Sequence, residues 1–412
     1  MTNPENSGVR VRRFAPLRYA TAERFGRPQL LSDTGAGQSS GQICPQLPGR
    51  LAPVMGAPKA PPPQGEDCLN LAIATPSRDG QRPVMVFLHG GAFVSGGGLL
   101  DWYDGSVLSA EADVVVVSVN YRLGVLGYLC LDGVSEGNLG LLDQLVALQW
   151  VRDNISAYGG DPSNVTVVGQ SAGAVSIRLL MAMPAAQGLF RRAILQSGPG
   201  KDIGRPRESA ESIGQMFVDH LGEDPRTART TSLLTAQQAT TTALRQAGEV
   251  AVPPFYPVLG TGVLPNTVDG FGASVEGMDV ICGWNADDVS AFTGPGPHVC
   301  AATTQILATP THKLATQLND AGARAWTYQL DWRPAGSPLG ATHCVELPLL
   351  LGTQTAWEPC PMLGDTSWEQ VDVLGRALRR VWGHFAHTGE ILTETMVPIP
   401  LQWNPEAQVV GA

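Results

Sequence analysis

The chain has 412 residues, 27 Lys and Arg against 37 Asp and Glu, a formal net charge of −10 and 43% hydrophobic residues. That composition predicts a globular protein with a large core and excludes collagen, coiled coils and disulfide miniproteins. The acidic balance argues against non-specific nucleic-acid binding, which needs a basic field. The 48 Gly and 32 Pro make the chain rich in loops, short of the roughly 25–30% that marks disorder.

In chain order, the first twenty residues contain no apolar signal-peptide core. The longest uncharged apolar stretches, such as 123–131, fall short of the ~20 residues of a membrane span. A cytoplasmic protein is the expectation. Seven cysteines are too sparse for a disulfide scaffold and lack zinc-type spacing, so no metal is expected. Asn154-Ile-Ser and Asn164-Val-Thr match the glycosylation pattern and read as chance. The first 80 residues read as irregular, with Gly/Ser/Gln-rich 35–41 and Pro/Gly-rich 48–65 as surface loops.

From Pro83 the texture changes. Short apolar runs at 84–88, 114–119, 165–168, 193–196, 280–283 and 326–330 suit strands buried on both faces of a parallel sheet. Helical spacing separates them: Leu141, Leu145, Leu148, Val151 and Ile155; then Ile213, Met216, Phe217 and Leu221; later Val371, Leu374, Leu378, Val381 and Phe385. Strands alternating with helices predict an α/β fold with a mostly parallel sheet flanked by helices. Residues 223–250, rich in Thr, Ala and Gln, read as peripheral helices or loop.

Gly-x-Ser-x-Gly occurs twice, at Gly37-Gln-Ser39-Ser-Gly41 and at Gly169-Gln170-Ser171-Ala172-Gly173. Only the second follows a strand pattern and precedes a helical one. This is the strand–turn–helix context in which a sharp, strained turn lifts a serine hydroxyl out of a sheet. Gly169 and Gly173 are needed because strand and helix come too close for side chains. The N–H of Ala172 then faces the target of the nucleophile. His89-Gly90-Gly91-Ala92-Phe93 follows the strand at 84–88. Small residues there let backbone N–H donors approach a developing oxyanion. His89 reads as local scaffold, not as a base.

These stretches, with Glu66-Asp-Cys-Leu-Asn70, Gly137-Asn-Leu-Gly-Leu-Leu-Asp143 and Ile194-Leu-Gln-Ser-Gly198, resemble the type-B carboxylesterases of the α/β-hydrolase superfamily. The bacterial para-nitrobenzyl esterases are similar members. The resemblance is dense over residues 66–198, weak over 199–275 and patchy over 278–387. It implies one α/β-hydrolase domain over 1–412: an irregular part (1–82), a nucleophile half (83–198), a peripheral or cap segment (199–275) and an acid/histidine half (276–412). It implies a triad in the order Ser, acid, His. In Gly283-Trp-Asn-Ala-Asp-Asp288 the acid position falls on Asp288, where the family usually has Glu, and Asp287 competes for it. Gly340-Ala-Thr-His343 resembles the histidine loop, so His343 is favoured over His298, His312, His384 and His387. The implied oxyanion hole is Gly91, Ala92 and Ala172. Cys44 and Cys68 resemble a disulfide pair of the family, which a cytoplasmic setting would leave reduced.

Three departures stand out. Gln170 replaces a common Glu beside the nucleophile. The opening hairpin is expected to be curtailed. Only 35 residues separate Asp288 from the strand segment starting at Arg324, where the family usually inserts helices; the only helical pattern left there, around Leu314 and Leu318, is short. The expectation is a serine carboxylesterase without cofactor, with a reduced cap and a preference for short acyl esters. An amidase, lactonase or acyltransferase would use the same residues, and a disabled binding relative is the remaining alternative.

Overall fold

The computed structural model describes residues 10–31, 40–198, 203–249, 252–268, 270–392 and 400–404. Nine strands form one sheet: β1 (Arg12–Arg18), β2 (Asn70–Thr75), β3 (Arg82–Leu88), β4 (Val115–Val119), β5 (Gly160–Gln170), β6 (Arg192–Gln196), β7 (Asp279–Asn285), β8 (Arg324–Leu330) and β9 (Leu401–Asn404). Their spatial order is β1-β2-β4-β3-β5-β6-β7-β8-β9. The six from β4 to β8 in that order are mutually parallel. Antiparallel pairs close both edges.

The continuous apolar runs are explained by burial on two sides. Val84, Val86 and Leu88 face one core layer, shared with helices α1 (Leu139–Asn154) and α2 (Ala172–Met181). Met85 and Phe87 face the other layer. Each such buried side chain is worth ~1.5–3 kcal/mol relative to exposure. Helix α1 is buried on nearly every side, not along one stripe only.

Helices α3 (Arg207–Leu221) and α4 (Thr230–Gln246) pack together beside this body. Helix α4 is tied down where Gln237 Oε1 accepts from the N–H of Val125 at 2.8 Å. Helix α5 (Thr309–Asp320) precedes β8 and packs on the first layer through Leu314, Ala315 and Leu318, whereas α6 (Trp368–Thr388) packs on the second and closes the fold. A Ser367–Gln370 capping box starts α6, and Gly389 ends it in the left-handed conformation. The box satisfies backbone N–H groups that the first turn leaves without acceptors.

Two sequence expectations need correction. The first 80 residues are not all irregular, because β1 pairs with β2 there. The signal in β1 is blunted by charges and by Pro16, around which the register shifts between Phe14 and Leu17. The segment after Asp288 is also more helical than its pattern suggested. Helical backbone runs from Val299 to Asp320, with a π-helical stretch at Thr304–Ala308 just before Pro310. A proline lacks the N–H for a regular helical bond and crowds the preceding turn, so the wider winding before it accommodates the ring. Residues 35–39 of the Gly/Ser-rich stretch, Ser39 among them, lie outside the described residues. Among the described residues, no helix is long and apolar enough to cross a membrane.

Candidate active site

Ser171 sits between the end of β5 and the start of α2 at φ 56° and ψ −118°. A non-glycine residue at positive φ is strained. Two hydrogen bonds hold it there: its N–H donates to Gln196 O at 2.8 Å, and its carbonyl accepts from Val175 at 3.0 Å. The flanking glycines are required sterically. A Cβ on Gly169 would lie 2.5 Å from the Gly173 backbone, and one on Gly173 would lie 2.0 Å from Leu88 O.

The glycine loop after β3 runs alongside. A Cβ on Gly90 would stand 3.1 Å from Ser171 Cβ, so the loop touches the serine. Gly91, Ala92 and Phe93 all have positive φ, an unusual backbone for the two non-glycine residues. Among the described residues, the N–H groups of Gly91, Ala92 and Ala172 donate to no protein acceptor. Phe93 anchors the loop by edge contacts to Tyr128 at 5.1 Å and Tyr256 at 5.0 Å. His89 is a buried support. Its ring stacks on Tyr121 at 4.3 Å, its Nδ1 lies 2.7 Å from Gly90 O, and burial pushes its pKa down to about 4.

Asp288 and His343 meet at 2.5 Å, Oδ1 to Nδ1. The other carboxylate oxygen accepts from Ser197 Oγ at 2.6 Å and from the Asn285 N–H at 3.0 Å. The backbone repeats the link: His343 N–H donates to Asp288 O at 3.2 Å. Burial alone would lower the His343 pKa, but the charge of Asp288 and its hydrogen bond outweigh it, and the net shift is upward. Asp287 points elsewhere. It pairs with Arg333 at 2.7 Å and accepts from the Ala341 N–H at 2.9 Å, bracing the histidine loop from outside.

Several neighbours carry no motif that identifies them. Ser197 lies in Gln196-Ser197-Gly198, a stretch of the family resemblance without an assigned role. Glu346 is buried; burial raises its pKa to about 7, although Asn285 donates to it at 2.6 Å. Gln170 Nε2 lies 3.1 Å from His343 Nε2. The ring of Phe292, 51% exposed, lies 5.1 Å from that of His343. These are contacts between distant parts of the chain, which no local pattern announces. Cys44 and Cys68 are buried, free and adjacent; the Cys44 side chain hydrogen-bonds the Cys68 thiol and, with burial, raises its pKa.

A strained serine at a strand–helix turn, beside a histidine–carboxylate pair on a mostly parallel sheet, defines a serine hydrolase of the α/β-hydrolase fold. The carboxylesterase family profile matches residues 2–298, and the chain belongs to that family. It is a carboxylic ester hydrolase. A probable N-octanoylanthranilate hydrolase of Rhodococcus erythropolis is 41% identical, covering 92% of this chain and 89% of that protein. The para-nitrobenzyl esterase of Bacillus subtilis is 34% identical, over 90% of this chain and 83% of that one. The solved structure of a thermophilic PNB esterase superposes with a TM-score of 0.82 at 30% identity, covering 98% of this chain and 91% of that one.

Proposed function

We propose that Ser171 is the nucleophile, His343 the general base and acid, and Asp288 the group that orients and charges the imidazole. The observation that carries this reading is the 2.5 Å Asp288–His343 pair beside the strained serine. Ser171 Oγ attacks the ester carbonyl carbon while His343 Nε2 takes the hydroxyl proton. The imidazolium then gives that proton to the departing alkoxide, leaving an acyl-serine. Water, deprotonated by the same nitrogen, attacks the acyl-serine, and the proton returns to Ser171 Oγ as the acid leaves. The N–H groups of Gly91, Ala92 and Ala172 hold the oxyanion in both halves, each donor being worth ~3 kcal/mol to the transition state. No step calls on a metal or an organic cofactor.

The preferred substrates in this reading are short acyl esters. The support is the shortened stretch after Asp288, with Phe292 and Ile306 left 51% and 45% exposed. An open pocket buries less of a long acyl chain, and each unburied methylene forfeits ~0.8 kcal/mol. A second reading is hydrolysis of an N-acyl aromatic amide, favoured by the name of the Rhodococcus relative. The test is kcat/KM across p-nitrophenyl esters from acetyl to palmitoyl, and on matching acyl anilides, with wild type, Ser171→Ala and His343→Ala. The triad reading expects both variants to lose several orders of magnitude, and their retained activity would refute it. A rise toward long acyl chains would overturn the short-chain preference. Faster turnover of anilides would establish the second reading.

A further inference from the structure

Gln170 has no task in the reaction just outlined, yet its side chain meets the working nitrogen of the base. The residue is buried, and its amide nitrogen lies 3.1 Å from His343 Nε2. The polarity of this contact follows from the opposite side of the ring. Asp288 accepts a hydrogen bond from Nδ1–H at 2.5 Å, so the neutral imidazole presents a lone pair at Nε2, and a lone pair requires a donor. The amide oxygen is turned toward the glycine loop instead, where a Cβ on Gly90 would come within 2.6 Å of it. The bare Cα of Gly90 thus makes room for Gln170 as well as for the serine. Among the described residues, no hydrogen bond joins Ser171 Oγ to His343 Nε2.

We propose that Gln170 is a positioning residue for acyl transfer: its amide N–H holds the unprotonated Nε2 of His343 in the resting site and yields it to the Ser171 hydroxyl when substrate enters. This rests on the triad assignment above. Such a contact fixes the imidazole at both nitrogens and prevents the ring from swinging toward the half-open side where Phe292 lies. It also has an electrostatic consequence. A donor facing Nε2 favours the neutral ring, whereas a carboxylate there would favour the imidazolium.

The other groups around the ring set the background. Asp288 favours the charged imidazole. Glu346, pushed up to about 7, acquires charge near neutrality in the same loop. Burial pushes the Cys344 thiol and the phenols of Tyr103 and Tyr328 up, so they stay neutral. His89, pushed down to about 4, stays neutral as well. Glu346 is therefore the neighbouring group whose own charge changes near neutrality.

The test is the pH profile of kcat/KM on p-nitrophenyl acetate for wild type, Gln170→Glu and Gln170→Met, each repeated in a Glu346→Gln background. The glutamate variant is expected to move the acid-limb midpoint upward by about one unit or more in both backgrounds, the size of shift an opposite charge at this range produces. The methionine variant keeps the volume without the donor. It is expected to lower kcat several-fold at unchanged KM and to move the midpoint less. An acid limb of Gln170→Glu that coincides with wild type would overturn the proposal. So would a methionine variant with wild-type kcat. A role in packing alone would lower thermal stability in both variants and leave the midpoint in place, which also overturns it. If Ser171→Ala and His343→Ala are inactive while the Gln170→Glu profile is unmoved, only this inference falls and the triad stands.

Discussion

Asp288→Asn preserves shape and removes charge, and the geometry fixes what it should cost. The carboxylate accepts three hydrogen bonds, from His343 Nδ1 at 2.5 Å, Ser197 Oγ at 2.6 Å and the Asn285 N–H at 3.0 Å. An amide has one oxygen for these three partners. If that oxygen stays with Ser197 and Asn285, the NH2 faces Nδ1, which must then offer a lone pair. The ring proton moves to Nε2, and the nitrogen that should deprotonate Ser171 is no longer a base. In the serine-protease template this inversion costs about 10⁴ in kcat, or ~5.5 kcal/mol. If the amide flips, its NH2 opposes the buried Asn285 N–H, and a stranded donor costs ~1–3 kcal/mol of stability. Asp287→Asn is the control. It loses a half-exposed ion pair to Arg333, worth ~0–1 kcal/mol, and kcat should change only a few-fold. The assay is kcat on p-nitrophenyl acetate, with a urea melt to verify folding. The pH dependence supplies a second sign. Asp288 holds the His343 pKa up against burial, so without its charge the acid limb of any residual activity should move to lower pH. A larger loss from Asp287→Asn, or more than a tenth of wild-type kcat left in folded Asp288→Asn, would refute the reasoning.

Gly173→Ala should abolish activity by displacing the elbow, since the new methyl would lie 2.0 Å from the carbonyl oxygen of Leu88; a wild-type kcat would show that the turn can open at little cost. Gly133→Ala, where a Cβ meets nothing within 4 Å, is the comparison for steric crowding; its positive φ of 68°, which Gly173 lacks, should cost only modest stability. Glu346 should make the fold less stable as pH rises. Its folded pKa of about 7 lies above the ordinary glutamate value of 4.5, so the folded state holds a proton that the unfolded chain releases between those values. Tm should fall from about pH 4.5 to pH 7, and Glu346→Gln should flatten that slope; parallel Tm–pH curves would refute it.

How much was legible in the sequence depended on how local each interaction is. The six parallel strands could be read because burial on both faces demands unbroken apolar runs, as in 84–88 and 114–119. Strand β1 could not, because an edge strand keeps Arg12, Arg13 and Arg18 and interrupts its pairing at Pro16. The helix through 299–320 was hidden by Pro310, whose accommodation takes a π-helical stretch. In the site, the elbow and glycine loop are local devices and could be read directly. Asp288 and His343 lie far away in sequence and were reached through family resemblance. Ser197, Glu346 and the Gln170 contact with His343 carry no local signature at all, because each exists only once separate strand ends are brought together.

That assembly also explains how the cap can shorten without disturbing the chemistry. Ser171 follows β5, Ser197 follows β6 and Asp288 lies just beyond β7; these are consecutive neighbours in the sheet and run parallel. Parallel strands place their C-terminal ends along one edge at intervals of ~4.8 Å, the edge where open α/β sheets bind ligands. The next strand, β8, leads into the loop carrying His343, which returns to Asp288 through backbone and side chain alike. None of these positions depends on the length of chain between Asp288 and Arg324, provided β8 still pairs with β7. It does so without a shift from Asp279–Arg324 to Asn285–Leu330. Shortening that connection removes covering structure and leaves the strand ends in register. Changes there should therefore alter which acyl and leaving groups fit while leaving the proposed proton-transfer chain among Ser171, His343 and Asp288 as it is.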